Sequence, residues 1–285
     1  MTWNLSAFAD EAGNKCEEQI AALQRAGLTL IDIRSLDGFN VTQLPVDVAR
    51  KAAEKFAEAG ISVQMFDSPI GKIDIADDLE IDLEKLRHLA QLAPILGCSN
   101  VRIFSYFNHA KLPRAEWKTK SLQRLANLKN EAKSLGLILY HENESDIFGC
   151  GVDDVLAIAA LRDENFRTIF DFDNYNQNGE DVWQSWLKLH DVTDAFHLKD
   201  STRAGQHVPI GQGAGYARAI LSQAWQSGWN GPISLEPHLN HSGTVAATGP
   251  GGIANHEFQH MTVADSFHIA AQAANSLLAD IVANH

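Results

Sequence analysis

Five stretches of the chain repeat one pattern of polar and apolar positions: a segment with apolar residues three and four apart, a glycine, then a short apolar run. They are AALQRAGLTLIDIR, AEKFAEAGISVQMF, LAPILGCSNVRIF, AKSLGLILYHE and AWQSGWNGPISLE. The three-and-four spacing is that of a helix with one buried face, and the apolar run suits a strand buried on both sides. The glycine suits the left-handed residue that closes a helix. With the opening WNLSAFA and the runs RTIFDF and DAFHLK, the pattern predicts eight strands, near 4–8, 29–34, 61–66, 100–105, 137–141, 168–172, 194–198 and 232–236. Helices fall between them, and a last helix is predicted near 262–282. Eight strands separated by helices predict an α/β fold, a (β/α)8 barrel, as one domain over 1–285. An open doubly wound sheet needs a glycine-rich phosphate turn after the first strand, and SAFADEAGNK has none.

Composition narrows the setting. A hydrophobic content of 45% supports one large core, and the three cysteines, Cys16, Cys98 and Cys150, are too few and too far apart for a disulfide framework. They read as thiols of a reducing cytoplasm. No basic-then-apolar leader opens the chain, and no window nears eighteen consecutive apolar residues, so a soluble, cytoplasmic protein without a membrane partner is expected. The net charge of −13 opposes phosphate neutralisation, and no run of lysines and arginines exceeds two, so nucleic acid is not an expected partner.

Chemistry enters at the strand ends. LILYHENE, TIFDFDN, DAFHLKDS and PISLEPH each end an apolar run on a metal-competent side chain: Glu142, Asp171, His197 and Glu236. These are spaced 29, 26 and 39 residues apart, each about one helix plus one strand, so in a barrel all four emerge at the C-terminal mouth where active sites gather. Three carboxylates and one imidazole form a borderline-hard set that suits one divalent ion, Mn²⁺ as the first expectation and Co²⁺, Mg²⁺ or Zn²⁺ as alternatives. Strand alternation puts Glu144 on the face of Glu142, as an alternative ligand or a supporting partner, and Lys199 on the face of His197. Lys199 either polarises a substrate oxygen or pairs with Asp200 or Glu236. Arg34, Lys72 and Arg102 sit at or just after strands two to four; they either bind an anionic substrate group or pair with Asp10, Glu11 or Asp32. A Gly- and His-rich loop, HLNHSGTVAATGPGGIANHEFQH, follows strand eight. Its GPGG turn at 249–252 reads as a lid or a subunit contact rather than a phosphate cradle, leaving a homo-oligomer open. His238, His241, His256 and His260 lack tight ligand spacing and read as solvated or interface residues.

With FADE, DIRS, DSPIGK, VRIFSYF, HENE, DFDN, HLKDSTR, VPIGQGAG and SLEPH in place, nearly the whole chain resembles the xylose isomerase-like TIM barrel superfamily, which includes sugar phosphate isomerases/epimerases and ketose 3-epimerases. The resemblance implies a metal held by Glu142, Asp171, His197 and Glu236, and it decides for Asp171 over Asp173. It makes Glu142 and Glu236 the catalytic proton-transfer pair and Arg203 a substrate contact. The chain departs from the family pattern at Asn174, where a His is usual, and at Phe148, where a Glu is usual, so the resemblance names a reaction class and not a sugar. Lys199, Asn174, Lys72, Arg102 and Glu144 complete the substrate-binding candidates. The expected function is metal-dependent isomerisation or epimerisation beside the carbonyl of a ketose, keto-acid sugar or 3-keto-glycoside. A lyase or dehydratase on a keto-sugar and a non-catalytic carbohydrate-binding barrel are the alternatives.

Overall fold

The computed structural model describes residues 2–241, 243–247 and 251–285. Each glycine-separated unit folds as its pattern predicts. Strands β1 Asn4–Ala7, β2 Leu30–Ile33, β3 Ser62–Asp67, β4 Asn100–Ile103, β5 Ile138–Glu142, β6 Phe166–Asp171, β7 Ala195–Leu198 and β8 Pro232–Leu235 fall within two or three residues of expectation. Around them lie α1 Cys16–Ala26, α2 Val46–Ala59, α3 Glu80–Leu96, α4 Arg114–Ser134, α5 Val152–Ala159, α6 Val182–Leu189, α7 Ala217–Gln226 and α8 Val263–Ala283. Gly27 and Gly60 close α1 and α2 at φ +71° and +69°, where an L side chain would be strained.

Seven parallel ladders join the strands in the order β1–β8–β7–β6–β5–β4–β3–β2. The ends of that series, β1 and β2, lie side by side and nearly close the ring. Across the seam the Ser6 hydroxyl donates to Asp32 Oδ2 at 2.5 Å. Outside, α8 buries Phe267, Ala270, Ala271, Ala274, Leu277, Leu278 and Ile281, the three-and-four stripe of its sequence, and packs between α1 and α7 to complete the outer ring. Each large side chain on that stripe stabilises the fold by roughly 1.5–3 kcal/mol.

Alternation along the strands separates two apolar regions. The main core lies between strands and helices. A small cluster of Met65, Tyr140, Ile169 and Ala195 forms apart from it, on the inward face of β3, β5, β6 and β7. One pleat further along those strands come Asp67, Glu142, Asp171 and His197, so the barrel interior turns from apolar to ionisable at its C-terminal end. In the loop after β8, the described residues form two short helices, Gly243–Ala246 and His256–Gln259. Gly249 and Pro250 of the GPGG turn lie outside the described residues. Among the described residues no helix is long and apolar enough to cross a membrane, and Cys16, Cys98 and Cys150 are free thiols.

Candidate metal centre

Ligand atoms of Glu142, Asp171, His197 and Glu236 all lie within 4.8 Å of one another, and all four residues are buried. Each arrives from a strand end, and local structure aims it. Asp171 caps the helix Phe172–Gln177, where its Oδ1 accepts the Asn174 N–H at 2.7 Å, leaving Oδ2 directed to the cluster. His197 Nδ1 stands 2.9 Å from Glu142 Oε1 and 3.7 Å from Glu236 Oε2. The set fits a divalent ion. Glu142 Oε2 and Asp171 Oδ2 are buried and accept no hydrogen bond, held only by ion pairs with Arg102 and Lys199, so both keep lone pairs for a divalent ion. Two ligands on opposite sides of one ion at about 2.2 Å each would be ~4.4 Å apart, so only a small contraction separates this cluster from coordination.

Cations hold the cluster in place. Arg102 Nη1 is 3.1 Å from Glu142 Oε2, and its Nε is 3.5 Å from Asp67 Oδ1. Lys199 Nζ is 3.3 Å from Asp171 Oδ2 and 3.7 Å from Glu236 Oε2. Arg34 forks onto Asp10 at 2.9 Å through Nε and Nη2 and donates from Nη1 to Glu236 Oε1 at 2.8 Å. Burial opposes ionisation of Glu142, but His197 and Arg102 outweigh it and hold the carboxyl down at about 2. At Glu236 burial acts the same way, and Lys199, His238, Arg102 and Arg34 together keep it well below the usual carboxylate range. For Asp171 burial wins over Lys199 and holds the carboxyl well above that range. Burial disfavours the His197 imidazolium, yet the adjacent Glu142 carboxylate pushes its pKa up to about 9. The pair of glutamates is thus held ionised.

The other residues singled out in the sequence are distributed around this cluster. Lys199 points inward as alternation requires, and it pairs with Asp171 as well as Glu236, while Asp200 is occupied by the N–H groups of Gly211, Gly213 and Gly215. Arg102 pairs with Glu142 and Asp67. Lys72 pairs with Glu144 at 2.9 Å, which draws Glu144 away from the ligand set. Asp173 accepts from His207 at 3.0 Å, which leaves Asp171 as the ligand candidate of its motif. Asn174 donates to the Asn143 carbonyl at 2.8 Å, and Asn143 in turn accepts the Asp171 N–H at 2.9 Å, so the two amides lock the ends of β5 and β6. Arg203 is exposed and lines a surface recess with Asn176 and Tyr216, outside the cluster. Phe148 is buried beside Trp117 and Arg114.

One expectation is corrected. His238 is neither solvated nor at an interface among the described residues: it is 2% exposed, and its Nδ1 stands 2.8 Å from Glu11 Oε1. Glu11, Glu236 and His238 form a second group of ligand-type side chains that shares Glu236 with the first. His256 and His260 are exposed as expected, and His241 meets His207 at 2.9 Å. Sequence reasoning passed over Asp67, whose carboxylate faces His197 Nε2 at 3.8 Å. Its position two residues after Met65 on an inward-facing register was the signal that would have found it.

A family model described as xylose isomerase-like TIM barrel matches residues 20–262. No curated protein matches the chain. Among solved structures, a D-tagatose 3-epimerase-like protein is similar at 14% identity and a TM-score of 0.75, with 99% of each chain covered. A xylose isomerase-like TIM barrel protein from Mycobacterium smegmatis in complex with magnesium is 17% identical at a TM-score of 0.68, over 97% of this chain and 98% of that one. The probable 3-DHS dehydratase AsbF from Bacillus anthracis is 15% identical at a TM-score of 0.71, over 96% of this chain and 99% of that one. At such identities these likenesses speak to the fold.

Proposed function

Because the chain belongs to the xylose isomerase-like TIM barrel family, we propose that it is a divalent-metal-dependent sugar isomerase or epimerase that moves a proton at the carbon beside a substrate carbonyl. The single observation that carries this reading is the convergence of Glu142, Asp171, His197 and Glu236 at one barrel mouth. Those four would hold the ion, with Mn²⁺ favoured over Co²⁺, Mg²⁺ or Zn²⁺. Once bound, it would polarise the carbonyl and neighbouring hydroxyl oxygens of the substrate and so favour enediolate formation.

The proton chemistry belongs to the protein. A base must be ionised to accept a proton, and Glu142 and Glu236 both are in this electrostatic setting. They come from β5 and β8, so a substrate carbon between them meets a carboxylate on each face. One removes the α-proton and keeps it, and the other, protonated from solvent, delivers a different proton to the opposite face. Lys199, 3.7 Å from Glu236 and held cationic by Asp171 and Glu236, is a partner for a developing oxyanion. Arg34 donates to Glu236 Oε1 and fixes the orientation of that carboxylate. The same abstraction followed by departure of a hydroxyl gives a dehydratase, and Lys199 is the observation that favours keeping that second reading. A small-molecule substrate in the cytoplasm accords with the net charge of −13 and the free thiols.

The test is incubation of Mn²⁺-loaded protein in D₂O with a panel of keto-sugars and 3-keto-glycosides, read by NMR and mass spectrometry. Deuterium uptake that a chelator abolishes, with the substrate skeleton retained, supports epimerisation or isomerisation, whereas loss of water identifies the dehydratase. No uptake with any substrate class counts against proton transfer at this centre.

A further inference from the structure

Resting on that sugar-enzyme reading, the substrate's overall charge can be inferred from a cavity next to the cluster. A space of about 520 Å³ opens beside Glu236, walled by Asp10, Glu11, Asn14, Arg34, Ser35 and Asn40. Cavities that enclose drug-sized ligands run from about 300 to 1,000 Å³, so this one has room for more than the few carbons that react at the metal cluster. Arg34 links the cavity to the cluster: it lines the cavity and donates to Glu236 Oε1 at 2.8 Å.

We propose that this cavity binds the uncharged, polyhydroxylated remainder of the substrate, so that the enzyme takes free sugars or glycosides and rejects their phosphate esters and uronates. Phosphate and carboxylate recognition needs a free guanidinium fork or ammonium. Among the described residues lining the cavity Arg34 is the one cation, and each of its three nitrogens already donates to a carboxylate: Nε and Nη2 to Asp10 and Nη1 to Glu236. An anionic group entering here would lie against the Asp10 carboxylate, with no cation among the described lining residues free to pair with it. The other mouth cations are engaged as well, Arg102 with Glu142, Lys199 with Asp171 and Lys72 with Glu144.

What remains on the walls suits hydroxyl groups. Asn40 Oδ1 accepts from the Thr42 N–H and hydroxyl at 3.0 and 2.7 Å, which orients its amide group. The Ser35 hydroxyl donates to Asp10 at 2.9 Å and keeps its lone pairs as acceptors. Carboxylates with further lone pairs accept from several sugar hydroxyls at once.

The experiment measures binding rather than turnover. Methyl glycosides of common hexoses and their 6-phosphates are titrated into Mn²⁺-loaded protein and followed by saturation-transfer NMR and calorimetry. Neutral glycosides are expected to bind and the phosphates to bind at least about tenfold more weakly. Gly243 lines the cavity, and a Cβ there would meet no atom within 4 Å. Gly243→Trp is therefore expected to weaken glycoside binding while leaving Mn²⁺ affinity unchanged. Phosphates that bind as well as the glycosides, a failure of every neutral glycoside to bind, or glycoside affinity unaltered by Gly243→Trp would each overturn the proposal. Deuterium uptake into phosphorylated keto-sugars would overturn it while upholding the proposed reaction; no uptake with any substrate, alongside normal glycoside binding, would sink the reaction and leave the cavity assignment standing.

Discussion

Between pH 6.5 and 8.5 His197 carries a proton that an incoming metal ion must displace, at a cost that falls as the pH rises. Glu142, 2.9 Å away, pushes the imidazole up to about 9, so over this range the metal-free ring keeps its proton and the higher pH lowers the cost of displacing it. A ligating imidazole must be neutral, and each pH unit below its pKa costs about 1.4 kcal/mol of metal-binding energy. Over two units the affinity should therefore rise by about 3 kcal/mol, on the order of 100-fold. Asp171, which burial holds well above the usual carboxylate range, contributes a second proton to the exchange. Titration calorimetry of Mn²⁺ in buffers of different ionisation enthalpy reads both quantities: at least one proton released per ion at pH 7, and an affinity that climbs at least about tenfold per unit. In the metal-free protein the sign reverses. The raised pKa of His197 contributes stability that is complete below the unfolded value of 6.5 and is lost as the pH climbs through about 9. Metal-free protein should lose thermal stability over the window in which metal-loaded protein gains it. A pH-independent Mn²⁺ affinity with no proton release would refute the assignment of His197 as a ligand held beside Glu142.

Three substitutions probe neighbouring claims. Glu236→Gln should slow deuterium exchange at the substrate α-carbon by about 10² to 10⁴ with an unchanged circular dichroism spectrum, and wild-type exchange in that variant would reject its acid–base role. Arg34→Met leaves Asp10 and Glu236 facing each other in a buried site without their shared guanidinium. Urea unfolding should register a loss of about 3–5 kcal/mol, and a loss below 1 kcal/mol would mean that the fork does not hold the mouth together. Gly149→Ala places a Cβ 2.5 Å from Cε1 of the buried His141 ring, next in sequence to Glu142. It should lower stability by about 1–3 kcal/mol, and an unchanged melting temperature would show that the two segments part without strain.

The strands were legible because each is a short apolar run, five of them separated from a helix by a glycine, and the convergence of the four candidate ligands was legible because a barrel presents strand ends together. Glu142, Asp171, His197 and Glu236 could be read from four local motifs, each within its own strand. The partners of the charges could not. Arg34 meets Glu236, and His238 meets Glu11, across roughly 200 residues of sequence or more, and nothing local to either residue signals the other. That distance is why His238 reads as a surface loop residue and is instead buried at the mouth. Asp173 and Asp171 look alike in DFDN, and their roles separate only when His207 arrives from the loop after β7 to occupy Asp173. Arg203, singled out by resemblance, has no comparable tie to the cluster and stands exposed beside Tyr216.

The central claim is that side chains from the last four strands grip one divalent cation. An anomalous difference map from a crystal soaked in Mn²⁺ tests it most directly. The account predicts a single strong peak about 2.0–2.2 Å from one atom each of Glu142, Asp171, His197 and Glu236. A map with no peak there, or with its peak between Glu11 and His238 instead, would contradict it.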